Sequence, residues 1–202
     1  MARTSLMEEQ VTADFVALNV ENVGLTQEQF FQLCSDNRDL RFELTAQREL
    51  LIMTLPGPDT SRRNSIIITE LTNWARKDGT GITFDCACRF ILPNGANRAP
   101  DASWLKRDRW DALTSDEKRK GAPLCPDSLV ELMSPSDRLA GQKAKMEEYI
   151  ANGLQLGWLI DPDHMTVYVC RPGAAPQVLE NPATLSGDPV LPGFVFNIAE
   201  IW

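Results

Sequence analysis

The sequence predicts an α/β fold, a central mixed sheet flanked by helices. Three observations carry this. The elements follow the order helix, antiparallel group, strand–helix unit, strand pairs. The short run Leu129-Val130-Glu131-Leu132-Met133 is almost wholly apolar, the mark of a buried central strand, and a helical segment follows it. No internal repeat or low-complexity linker divides the chain, and 202 residues suit one such core with a short arm.

Taken in order, residues 1–25 lack clear periodicity and are expected to form an N-terminal arm, with the domain spanning 26–202. Thr26-Gln27-Glu28-Gln29 fits a capping box, and Phe30, Phe31 and Leu33 follow it on a helix. Segments 40–46 and 48–55 read as the two strands of a hairpin, ended by Pro56-Gly57-Pro58. A helix over 60–78 has Ile66, Ile67, Leu71 and Trp74 as its apolar stripe and closes at Gly79. Strands near 80–85 and 87–92 lead to a turn at Pro93-Asn94-Gly95, and Pro100 opens a short strand over 101–105. The polar segment 107–120 is expected to be helical in pieces, with a second capping box at Thr114-Ser115-Asp116-Glu117. After the central strand, Pro135 acts as a breaker and Ser136 as the N-cap of a helix over about 137–152, stopped by Gly153. Segments 156–160 and 165–169 flank the tight turn Asp161-Pro162-Asp163-His164 and so form a hairpin. The tail is rich in proline and glycine, with a last helical turn over 197–202.

Composition removes several function classes. No apolar run approaches the roughly 18 residues that span a bilayer, and the first ten residues hold no apolar core of a secretory signal, so a cytoplasmic protein without membrane contact is expected. Five scattered cysteines without a C-x-x-C pair read as reduced thiols, with Cys86 and Cys88 on one face of a strand. A single histidine, His164, argues against histidine-rich metal sites, and no nucleophile elbow, phosphate loop or dinucleotide fingerprint is present. The net charge of −8 counts against tight non-specific binding to nucleic acid. Local basic clusters remain at Arg62/Arg63, Lys106/Arg107/Arg109 and Lys118/Arg119/Lys120.

Chemistry enters at Glu131. A carboxylate inside a buried strand costs several kcal/mol by order of magnitude unless it is paired or bound to metal. An edge position, meeting solvent or an arginine, is the structural alternative. Asp101 follows Pro100 at the start of another strand. Two carboxylates on neighbouring strands can hold a hard divalent cation, which takes one or two carboxylates plus water and phosphate. Such a cation polarises a phosphate and lowers the pKa of an attacking water, the requirement of phosphodiester hydrolysis. A cluster of acids is expected to raise at least one carboxylate pKa by like-charge repulsion. The partner lysine of an acid-x-lysine pattern is absent, because Met133 stands two residues after Glu131. Lys143 and Lys145 on the next helix are the available cations, and Lys145 shares a helix face with Tyr149 and Asn152. Tyr149 and Trp158 read as core residues.

Four segments carry a more specific signal: Arg98-Ala99-Pro100-Asp101-Ala102-Ser103-Trp104, Val130-Glu131-Leu132-Met133-Ser134-Pro135-Ser136-Asp137, Lys145-Met146-Glu147-Glu148-Tyr149-Ile150-Ala151-Asn152-Gly153, and Gly157-Trp158-Leu159-Ile160-Asp161-Pro162. Together they resemble the Uma2 family. Arg48-Glu49-Leu50-Leu51-Ile52-Met53 resembles that family's first hairpin, although Ala46-Gln47-Arg48 stands where a glycine turn is usual. The resemblance implies a restriction-endonuclease-like fold with a β-hairpin extension. It further implies Asp101 and Glu131 as metal ligands, Lys145 as a displaced catalytic lysine, and Glu49 as a third ligand. Mg²⁺ or Mn²⁺ is the implied cofactor and DNA the implied substrate. By analogy with restriction-like nucleases a homodimer is expected. The alternative is a non-catalytic nucleic-acid-binding or structural protein on the same fold.

Overall fold

Strand formation begins earlier than the sequence pattern suggests. In the computed structural model, which describes residues 15–53 and 55–202, Phe15–Asn19 (β1) pairs antiparallel with Glu49–Met53 (β3). Residues 15–19 of the expected arm therefore belong to a sheet, and residues 1–14 lie outside the described residues. All five β1 side chains are exposed, so the strand shows no buried-face alternation by which a sequence pattern could reveal it.

The helix Gln27–Asp36 (α1) starts at the Thr26 capping box, as its residues predict. Arg41–Leu44 (β2) and β3 form the expected hairpin. Where a glycine turn is usual, Arg48 itself adopts a left-handed backbone with φ 63°. The helix Pro58–Asp78 (α2) ends at Gly79, whose φ is 75°. There follow Gly81–Asp85 (β4), Phe90–Ile91 (β5), Asn97–Arg98 (β6) and Ala102–Lys106 (β7). Cys86 and Cys88 do not share a strand face, because the chain turns at 86–87 and resumes as a strand only at Phe90. All five cysteines are free thiols, Cys125 and Cys170 buried. The polar stretch forms Arg107–Asp111 (α3) and Ser115–Lys120 (α4), the latter on its capping box. Ser128–Leu132 (β8) is the fully buried central strand. The helix Leu139–Ala151 (α5) follows. Its N-cap is Arg138, without a side-chain cap, and not Ser136. Asp137 organises the preceding turn instead, accepting from Ser134 N at 2.7 Å and Gln142 Nε2 at 2.7 Å. Leu156–Asp161 (β9) and Thr166–Cys170 (β10) form the expected hairpin, and Gln177–Glu180 (β11), Thr184–Ser186 (β12) and Val195–Asn197 (β13) complete the chain with a short 3-10 turn at Ile198–Glu200.

The main sheet has six strands in the order β11-β10-β9-β8-β7-β4 and is mixed, since β8 and β9 run parallel and the other pairs antiparallel. Strand alternation gives it two apolar faces. Val130 and Leu132 of β8, with Trp158 and Ile160 of β9, meet Ile67, Leu71 and Ala75 of α2 and the C-terminal Phe194 and Phe196. Leu129 and Met133 of β8, with Leu159, meet Met146 and Tyr149 of α5. The hairpin is more than an extension: β1-β3-β2-β6-β5 is a five-stranded sheet of its own, packed on α1 through Phe30, Leu44 and Leu50. Between this second sheet and the start of α5 lies a cleft. Among the described residues no helix is long and apolar enough to cross a membrane.

Candidate active site

The cleft floor forms where the β7–β8 ladder ends. Its last pair is Ala102 with Val130, and one further step along this register sets Asp101 opposite Glu131. Residues opposed in this way have Cβ atoms about 5 Å apart. Asp101 Oδ2 accepts from the Leu132 N–H at 2.9 Å, and Oδ1 accepts from Asn64 Nδ2 of α2 at 3.2 Å. Glu131 belongs to the β8 face that α5 covers. Its Oε1 accepts from Tyr149 Oη at 2.9 Å and is ion-paired with Lys145 Nζ at 2.9 Å. Lys145 is thus brought in from α5, as expected. The strand position that a lysine would otherwise hold is taken by Met133, which is buried in the apolar cluster under α5.

A third acid stands beside this pair, the buried Glu43 of β2. Its Oε1 meets Lys145 Nζ at 3.1 Å and the Ala99 N–H at 3.1 Å, while Oε2 meets Arg98 Nη1 at 2.8 Å. Arg98 is held from its other side by Glu148 at 2.6 Å. Glu49, the acid expected from the first hairpin, lies exposed on the cleft rim, on the same face of the hairpin as Glu43. The hairpin therefore supplies its buried acid from its first strand and not from its second. The sequence signal was the alternation in Leu40-Arg41-Phe42-Glu43-Leu44. It places Arg41 and Glu43 on one face, but alternation does not say whether that face meets water or the cleft.

These contacts set the charges. Burial pushes Glu131 up, and Asp101 and Glu43 add to this; Lys145 offsets only part, leaving Glu131 at about 7. The dominant cause is burial and not the like-charge repulsion expected from the sequence. Burial likewise raises Asp101, against the Leu132 N–H and the charges of Lys145 and Arg41. Burial also works against the Glu43 carboxylate, but Lys145 and Arg98 together overcome it and bring Glu43 to about 2. Burial disfavours the Lys145 ammonium, yet Glu131 and Glu43 outweigh it and raise its pKa, so Lys145 carries its charge at neutral pH.

A buried and a half-buried carboxylate, both with ionisation disfavoured, suit a hard cation, which would neutralise both. Among the described residues no three His, Cys, Asp or Glu side chains already stand in a metal-holding group. Magnesium does not require one, since one or two carboxylates with water and phosphate complete its shell. Asp101 and Glu131 fit that role, and Glu43, saturated by two cations, does not.

The fold is of the restriction-endonuclease-like α/β class. Residues 27–199 match the profile of the Uma2 family, described as "Putative restriction endonuclease", and the chain belongs to that family. The crystal structure of a protein described as "a putative nuclease" from Anabaena variabilis superposes with a TM-score of 0.71 at 20% sequence identity, covering 87% of this chain and 96% of that one. At that identity the likeness speaks for the fold alone. No curated protein matched the chain.

Proposed function

We propose that this protein is a Mg²⁺-dependent nuclease, with Mn²⁺ as a competent substitute, that hydrolyses phosphodiester bonds of DNA. The observation that carries the reading is the juxtaposition of Asp101 and Glu131 at the end of one strand pair, with Lys145 against Glu131 in the same cleft. Asp101 and Glu131 would hold the ion. When bound, the ion supplies Lewis acidity toward the phosphate and a lowered pKa for water. Lys145 is a fixed positive charge beside the reacting group. It stabilises charge that builds on the phosphate and is not a proton acceptor. Burial disfavours the Glu131 carboxylate, and a bound ion together with Lys145 would hold it in the ionised form. Tyr149 orients that carboxylate through its hydroxyl. A homodimer would bring two such sites to a duplex, and sedimentation reads that state directly.

The test is cleavage of plasmid and oligonucleotide DNA at low ionic strength with Mg²⁺ or Mn²⁺. Cutting is expected, and EDTA is expected to abolish it. Asp101→Ala and Glu131→Ala lose both cleavage and cation binding. Lys145→Ala keeps cation binding by calorimetry and loses most of the rate, because its charge acts on the transition state. Equal trace cleavage by wild type and Asp101→Ala would sink the enzyme reading. A second reading, a non-catalytic nucleic-acid-binding protein, is favoured by Met133 in the place of the strand lysine and by the pairing of Lys145 with two carboxylates.

A further inference from the structure

The cleft has a wall that this chemistry leaves unused. Alternation sends Glu43 of β2, Leu51 and Met53 of β3, and Phe15 of β1 to one side of the five-stranded sheet, and all four line the cleft. Leu51 pairs across the hairpin with Glu43, and Met53 pairs across the next ladder with Phe15. An apolar surface therefore begins directly beside the buried acid and runs outward to Phe15, which is 43% exposed. The opposite side of the same strands, through Phe42, Leu44, Leu50 and Ile52, is the one that packs on α1. The wall is thus not core spilling over; the sheet has a core face and a cleft face, and the cleft face is apolar where it leaves the charged cluster.

Charge is arranged beside that wall. Among the described residues Arg41 donates to the carbonyls of Cys86 (3.3 Å) and Ala99 (3.5 Å), and Arg138 is exposed at the start of α5. Both line the cleft, and neither is ion-paired among the described residues, in contrast to Arg98 and Lys145. The cavity they share measures about 820 Å³.

We propose that the cleft takes single-stranded DNA, with a phosphate at the Asp101–Glu131 end contacted by Arg41 and Arg138, and the adjoining base out of any stack against Phe15, Leu51 and Met53. The inference rests on the nuclease reading and narrows its substrate. In a duplex the base faces are covered and only base edges are presented in the grooves. An apolar wall next to the reacting phosphate then has nothing to meet unless a base leaves the stack, which is least costly in an unpaired strand. Packing base faces against apolar and aromatic side chains is the sequence-tolerant mode of single-strand binding. A cleft of between roughly 300 and 1,000 Å³ takes a small-molecule-sized group, the size of a nucleotide or two, inside it. Two unpaired arginines on a chain of net charge −8 can neutralise few phosphates, which suits a short unpaired segment.

The test is fluorescence anisotropy with a short labelled oligothymidylate and with a duplex of equal length, at low ionic strength with Ca²⁺ in place of Mg²⁺. The oligothymidylate is expected to bind at least about tenfold tighter than the duplex, the scale of one stacked base. Phe15→Ser and Met53→Ser each weaken it by about tenfold. Val16→Ser, on the opposite face of β1, leaves it unchanged. The slope of log K against log salt is about −1.4, as two single-strand phosphate contacts require. Equal or tighter duplex binding overturns the proposal. So does undetectable binding by the wild type, or unchanged affinity in both Phe15→Ser and Met53→Ser with circular dichroism intact. Duplex cutting without single-strand preference removes this inference and leaves the nuclease reading. Single-strand binding that depends on Phe15 without any cation-dependent cutting supports the surface and removes the nuclease reading.

Discussion

Glu131 and Glu43 sit on the same lysine, yet their ionisation moves in opposite directions. Glu43 has two cations of its own and falls to about 2, whereas Glu131 shares one cation and meets two other acids, rising to about 7. The consequences for pH are opposite in sign. Glu43 is depressed below its unfolded value, so its contribution to stability is present above about pH 4.5 and is lost as pH falls toward 2. Glu131 is raised, so its contribution is full below about 4.5 and is lost as pH rises through 7. Glu43→Gln removes the counter-charge of Lys145 and Arg98 and is expected to cost about 3 kcal/mol at pH 7, with much less effect near pH 2; urea denaturation at the two pH values checks this. Cation binding requires Glu131 ionised, so Mn²⁺ affinity by calorimetry is expected to rise between pH 5.5 and 8 with proton release. A pH-independent affinity would place the ion elsewhere.

At the scale of elements, two positions show what the backbone demands. The β2–β3 turn needs a left-handed residue, and here Arg48 supplies it at φ 63°, with its guanidinium donating to the Leu25 carbonyl. Arg48→Gly relieves a strain of about 1–2 kcal/mol and loses a bond of similar worth, so its melting temperature is expected to stay near wild type. Arg48→Val keeps the strain, adds a β-branch and loses the bond, and is expected to melt clearly lower; the reverse order would contradict the turn assignment. The second position is Gly81 of β4, where an added Cβ would run into the Trp104 ring. That ring is buried in the main core on β7, the strand that Asp101 precedes. Gly81→Ala is expected to cost about 1–3 kcal/mol by overpacking, read by chemical denaturation, and to lower cleavage beyond the loss in stability by shifting Asp101.

At the scale of the whole molecule, the site joins two sheets and a helix. Glu43 comes from the second sheet, Asp101 and Glu131 from the first, and Lys145 from α5, so a cation bound as proposed would stabilise the fold that gathers them. Divalent cations at 100 times their dissociation constant are expected to stabilise the protein by about 2.7 kcal/mol, seen as a raised melting temperature at pH 8, with no shift in Asp101→Ala. An equal shift in Asp101→Ala would mean that the ion stabilises some other surface. The sequence by itself determined the elements whose signals are local. The two capping boxes, the Gly79 stop, the buried central strand and the hairpin around Asp161 all depend on a few neighbouring residues, and each stands where they put it. The placement of Asp101, Glu131 and Lys145 in one cleft was expected from the family resemblance, together with the need of a carboxylate inside an apolar strand for a partner. Three features waited for the tertiary structure. β1 is an edge strand whose exposed side chains carry no pattern. Ser136 was displaced as a cap by the Asp137 turn. Glu43, and not Glu49, became the hairpin's buried acid, because strand alternation gives both residues the same face. Only the approach of α5, bringing Lys145 to within 3.1 Å, and of Arg98 decides which of the two carboxylates is taken out of water.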